Sequence, residues 1–90
     1  MVDRVAEIRK GIKEGKVIIG TERTVKALKR GKIAKVFLTS NCPEDVSEDI
    51  EYYSRLAKAK VVRLKHPNTE LGVICKKPFA ISVLSFLKGA

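Results

Sequence analysis

The sequence predicts an α/β fold, a mixed sheet sandwiched between helices, and three observations carry that reading. Apolar residues switch repeatedly between helical spacing and short continuous runs, giving the element order αβαβαβαβ. The runs are short and bounded by glycine or turn residues, as strands are. Finally, a hydrophobic fraction of 44% with only three prolines and six glycines describes a packed globular chain, neither disordered nor fibrous. Ninety residues are enough for one domain with one core, so a single working surface over residues 1–90 is expected.

Each element follows from its own pattern. Val2, Val5, Ile8 and Ile12 recur at helical spacing and Gly15 stops the run, which predicts a first helix over residues 2–14. Val17-Ile18-Ile19, ending at Gly20, reads as a strand covered on both faces. Residues 21–30 form a second helix closed by Gly31, and Val36-Phe37-Leu38 a second strand. A third helix is expected over 43–58, with Pro43 at its first position, acids complementing its macrodipole, and Val46, Ile50, Tyr53 and Ala57 on its inner face. Val61 to Leu64 is a third strand; His66-Pro67-Asn68 is a loop, and Thr69 caps a short fourth helix ending near Cys75. Ile81 to Leu87 is the last strand.

Nineteen Lys and Arg against ten Asp and Glu leave a charge of +9, which points to a polyanionic partner. Five of the ten acids (Glu44, Asp45, Glu48, Asp49 and Glu51) fall within eight residues, so the rest of the chain is more basic still. No apolar run approaches the roughly 18 to 20 residues that span a bilayer, and the acidic, discontinuous N-terminus resembles no signal or transit peptide. A cytoplasmic protein without membrane attachment is expected. Cys42 and Cys75 lie far apart with a single histidine in the chain, so a zinc site lacks ligands, and reduced, partly buried thiols are expected. The acidic block reads as solvated helix surface, and His66 has no evident triad partner. With no phosphate-binding glycine loop either, the expectation is a binding protein with no catalytic residue, metal or cofactor.

The second helix is the informative segment. At 100° per residue, Glu22, Arg23, Lys26, Lys29 and Arg30 share an arc of about 120°, with Val25 and Leu28 turned toward a core. Gly20 directly precedes it, so unpaired backbone N–H groups and a positive dipole end stand where a phosphate backbone can approach.

The run Gly20-Thr21-Glu22-Arg23-Thr24-Val25-Lys26-Ala27-Leu28-Lys29-Arg30-Gly31, preceded by Val17-Ile18-Ile19, resembles the signature of the kink-turn RNA-binding family. Asn41-Cys42-Pro43 leading into Asp49 to Lys58, and Glu70-Leu71-Gly72 followed by Lys77-Pro78-Phe79, are similar to its large-subunit ribosomal branch in archaea and eukaryotes. The resemblance implies a three-layer α-β-α sandwich around a four-stranded mixed sheet. It also implies a partner: a kinked rRNA helix gripped at an internal loop with sheared G·A pairs. Carried over, Gly20 and Thr21 admit the backbone, and Glu22, Arg23 and Lys26 meet base edges and phosphates. Asn41 contacts RNA from the end of the second strand; Asn68, Thr69, Glu70 and Leu71 line the loop that cups flipped-out nucleotides; Phe79 supplies apolar or stacking contact. Proteins read RNA mainly at such loops, where unstacked bases expose edges and faces.

Each position has a structural alternative. Gly20 can be a strand-to-helix turn, Asn41 a cap of the third helix, Leu71 core, and Phe79 packing under the last strand. This chain also departs from the family. Many ribosomal members carry a basic residue where Glu22 stands, other kink-turn binders place Asn then Glu at Glu22 and Arg23, and eukaryotic members are basic where this chain has Glu44-Asp45. The resemblance implies a ribosome-associated protein, monomeric when free, with neighbouring ribosomal proteins as further partners. Its rivals are a kink-turn binder of another ribonucleoprotein and a small enzyme built on His66.

Overall fold

The computed structural model describes residues 4–88. The elements follow the expected alternation: α1 (Arg4–Lys13), β1 (Val17–Ile19), α2 (Thr21–Lys29), β2 (Ile33–Leu38), α3 (Glu44–Ala57), β3 (Lys60–Arg63), α4 (Asn68–Ile74) and β4 (Val83–Leu87). Val2, expected in the first helix, lies outside the described residues. The strands form one mixed sheet in the order β1-β4-β2-β3. β4 runs antiparallel to both β1 and β2, and β3 runs parallel to β2. A three-layer α-β-α sandwich results.

The layers follow from the alternation of side chains across each strand. On one face, Ile8 and Ile12 of α1 and Leu71 and Ile74 of α4 pack with Phe37, Val62 and Leu84. On the other, Ala27 and Leu28 of α2 and Ile50, Tyr53 and Ala57 of α3 pack with Val36, Leu38 and Val83. Phe37 and Phe86 meet edge to face on the first side, their centroids 5.2 Å apart. Between sheet and α2, the Thr24 and Ser85 hydroxyls bond to each other at 3.0 Å, so two fully buried polar groups are satisfied. Both cysteines are free, one in each face; burial pushes each thiol's pKa up, which keeps it protonated.

Several boundaries differ from the sequence reading, each for a physical reason. β1 is an edge strand: Val17 and Ile19 pack against one core and Ile18 against the other, so both faces are covered as its apolar run suggested, but the strand is only half-buried along its length. β2 begins at Ile33, three residues before Val36, because Ile33 is itself buried and pairs with Leu87 across an irregularity in register. Pro43 is the N-cap of α3, with extended ψ of 141°, and does not occupy the first helical turn. α4 starts at Asn68, so Thr69 lies inside the helix and Pro67 takes the cap position. Ile81 is buried but precedes β4: its N–H donates to the Asn68 carbonyl, 3.0 Å away, leaving the ladder to begin at Val83. Arg30 is the C-cap of α2 and Lys58 that of α3, at a left-handed φ of 58°. Among the described residues no helix is long and apolar enough to cross a membrane.

Candidate nucleic-acid interface

Because β1, β2 and β3 all run opposite to β4, their C-terminal ends gather at one edge of the sheet with the start of β4. Backbone hydrogen bonds hold the loops there in register. Gly20 N–H donates to the Val83 carbonyl at 3.1 Å, Thr39 N–H to Ser82 at 3.1 Å, and Ser40 N–H to His66 at 3.0 Å. Segments distant in sequence thereby form one continuous rim.

Gly20 sits where β1 turns into α2, at φ 111°, ψ 153°. A side chain would strain that backbone, yet no atom stands within 4 Å of where a Cβ would lie. The residue therefore presents bare backbone to open space. It caps α2 without a side-chain hydrogen bond, so the first turn keeps donors and a positive dipole end for an anion.

Beside it runs a groove of about 910 Å³, between β1, one face of α2 and the segment 77–82. Arg23, Lys26, Arg30, Lys32 and Lys77 line it, with Gly20, Thr21 and Phe79. No carboxylate lines it, and none of the five cations has an ion pair among the described residues. Phe79 is 56% exposed, so it does not pack beneath the last strand. A Cβ on buried Gly72 would overlap the Phe79 carbonyl oxygen, so that glycine lets the segment carrying Phe79 lie directly on α4.

The charged arc of α2 divides in the folded protein. Arg23, Lys26 and Arg30 face the groove, whereas the Lys29 ammonium lies over the Tyr53 ring, 5.0 Å from its centroid. Glu22 is exposed just outside the groove lining and makes no ion pair with Lys26 among the described residues.

Asn41 does not cap α3. Its Oδ1 accepts the backbone N–H of Asn68 at 2.8 Å, at the start of α4, and its Nδ2 donates to Asn68 Oδ1 at 3.0 Å. One Nδ2 hydrogen remains for a ligand. Asn68 in turn donates to Ser82 Oγ, 3.4 Å away, and Ser82 lines the groove, which joins the two asparagines to it. Thr69 and Glu70 are exposed on the first turn of α4, with Glu70 bonded to His66 Nδ1 at 2.8 Å. Leu71 is a correction: it is 0% exposed, packed in the core under that turn, and cannot line a surface loop in this fold.

Sequence reasoning missed Lys32, Lys77 and Ser82 as groove residues. Lys77 offered a signal, a cation two residues before an exposed phenylalanine. Ser82 offered none, since only strand pairing brings it alongside α2; Lys32 is held there by the turn at Gly31, its N–H donating to the Ala27 carbonyl at 3.0 Å.

The family model for the ribosomal protein L7Ae/L30e/S12e/Gadd45 family matches residues 5–89, and the chain belongs to that family. It is 44% identical over 77 residues to the large ribosomal subunit protein eL30 of Methanothermobacter thermautotrophicus, covering 86% of this chain and 79% of the relative. Its identity to the eL30 of Methanocaldococcus jannaschii is 41% over 80 residues, 89% of this chain and 73% of that one. Among solved structures, a 15.5kD RNA binding protein of Giardia lamblia superposes with a TM-score of 0.76 at 14% identity, covering 99% of this chain and 78% of that one. A Bacillus halodurans protein of unknown function gives 0.81 at 17%, covering 91% and 81%. At such identities these two share the fold.

Proposed function

We propose that the chain is an RNA-binding component of the large ribosomal subunit that grips a kinked rRNA element at the rim described above. The observation that carries this reading is the groove itself: five cations with no ion pair among the described residues and no carboxylate in its lining, beside a helix N-terminus that no side chain of its cap residue bonds and an exposed phenylalanine. Phosphates meet the cations and the α2 N-terminus, while unstacked bases meet Phe79 and the free amide hydrogen of Asn41. The named relatives, large-subunit proteins, support the ribosome as the particle. The protein acts by binding alone, with no bond made or broken. Sedimentation checks the particle: stable occupancy of large subunits is expected, and recovery only in an RNA-free fraction would refute it.

Affinity for a kink-turn RNA is expected to fall steeply with salt, because the groove cations displace counterions from the phosphates. Lys26→Ala lowers affinity and flattens the log-log slope by about one unit. An affinity nearly flat between low and physiological salt would exclude an electrostatic interface.

Glu22 gives a second test. Facing phosphate, its carboxylate repels RNA; facing the Watson–Crick edge of a guanine, it accepts from N1–H and N2–H₂ in a charge-assisted bond. The absence of a Lys26 partner among the described residues favours the base-reading role, since nothing holds the acid sideways. Glu22→Ala is then expected to cost about 1 to 3 kcal/mol of binding, and inosine at the contacted guanine to recover part of the difference. Tighter binding by the variant would sink the base-reading role.

A further inference from the structure

The outer stripe of α3 is unexplained by RNA binding. Asp45, the adjacent pair Glu48 and Asp49, Tyr52 and Leu56 stand three or four residues from one another along the helix, one exposed face about 16 Å long. Its C-terminal half is apolar: Tyr52 is 54% and Leu56 66% exposed. Leu56 adjoins a groove of about 360 Å³ between the ends of α2 and α3, floored by Leu28, Tyr53 and Ala57. Lys29, which also lines that groove, lies over the Tyr53 ring.

The N-terminal half of the stripe is anionic, and it stays so in a chain of charge +9. Glu51 pairs with Arg63, but Asp45, Glu48 and Asp49 have no ion pair among the described residues. Dipole complementation accounts for Glu44 and Asp45 in the first turn; it fades beyond that turn and leaves Glu48 and Asp49 unaccounted for. Carboxylates beside an exposed Tyr-Leu pair exclude RNA from this face by repulsion. A second copy fits less well: a parallel two-fold contact would set the same acids opposite each other, and an antiparallel one would lay them over Tyr52 and Leu56.

We propose that this stripe docks a basic polypeptide segment of a neighbouring protein in the particle, an apolar side chain entering the Leu28–Tyr53–Leu56 groove and Lys or Arg side chains meeting Glu48 and Asp49. The neighbour's presence rests on the ribosomal reading, whereas the docking face itself does not. The complementarity is two-fold, apolar against apolar and cation against carboxylate, along one helix.

A photocrosslinking residue in place of Leu56, in large subunits assembled with the variant, tests this, with the same residue in place of Phe79 as a second arm. The Leu56 arm is expected to yield a polypeptide adduct whose sequenced peptide is Lys/Arg-rich around an apolar residue. Glu48→Lys with Asp49→Lys is expected to reduce that adduct at least about fivefold, while the kink-turn affinity of the free protein is unchanged. Both positions are exposed, and a thermal melt confirms that the variants fold. No adduct, an adduct to RNA or to a second copy, or a polypeptide adduct indifferent to the charge reversal overturns the proposal. Failure of the Phe79 arm to capture RNA overturns the RNA reading instead, so the two failures are distinguishable.

Discussion

A kink-turn RNA whose sheared G·A pairs are replaced by Watson–Crick pairs is expected to bind at least about a hundredfold more weakly, a ratio ordinary for a folded nucleic-acid target. The cations of the groove would hold any duplex through its phosphates, so charge alone predicts equal affinity for straight and kinked RNA of the same length. The rest of the rim predicts otherwise. Gly20 presents backbone that only a closely approaching strand can meet, Asn41 keeps a single amide hydrogen, and Phe79 offers a face to an unstacked base. None of these is satisfied by a regular A-form helix, whose bases are stacked and whose major groove is closed to side chains. Titration of the two RNAs at one salt concentration decides the matter. Equal affinities would reduce the protein to a non-specific polycation binder.

Leu71→Ala is expected to destabilise the fold by about 2 to 5 kcal/mol, the cost of a truncated core leucine together with the cavity it leaves. Leu71 is fully buried, between α4 and the sheet, in the cluster that holds Phe37, Val62 and Leu84. Its place in the family motif made it a candidate RNA contact, and the two roles have separable signatures. A core role shifts the denaturant midpoint and leaves the RNA affinity of the folded fraction intact. An unchanged midpoint with weakened binding would return Leu71 to the interface.

The elements themselves were legible because their signals are local. Helical spacing in Val5, Ile8 and Ile12, the apolar run Val17 to Ile19, and the stop at Gly31 each act within a few residues of chain. The family motif around Gly20 was legible for the same reason: a strand, a glycine and a basic helix are contiguous. Boundaries were less so, since Ile33 joins β2 through its partner Leu87, and α4 begins at Asn68, whose N–H is taken by the Asn41 side chain from another loop.

What the sequence by itself determined is the order of elements, the excess of positive charge and the glycine-led basic helix, all set by neighbours along the chain. What only the tertiary structure decided is how those parts meet. Strand order placed Lys77 and Phe79 beside Arg23 and Lys26, turned Asn41 to a partner 27 residues away, drew Lys29 toward Tyr53 and put Leu71 inside. The physical reason is that side-chain direction on a helix is fixed by local geometry, but what lies opposite depends on sheet pairing between distant segments, which no local pattern encodes.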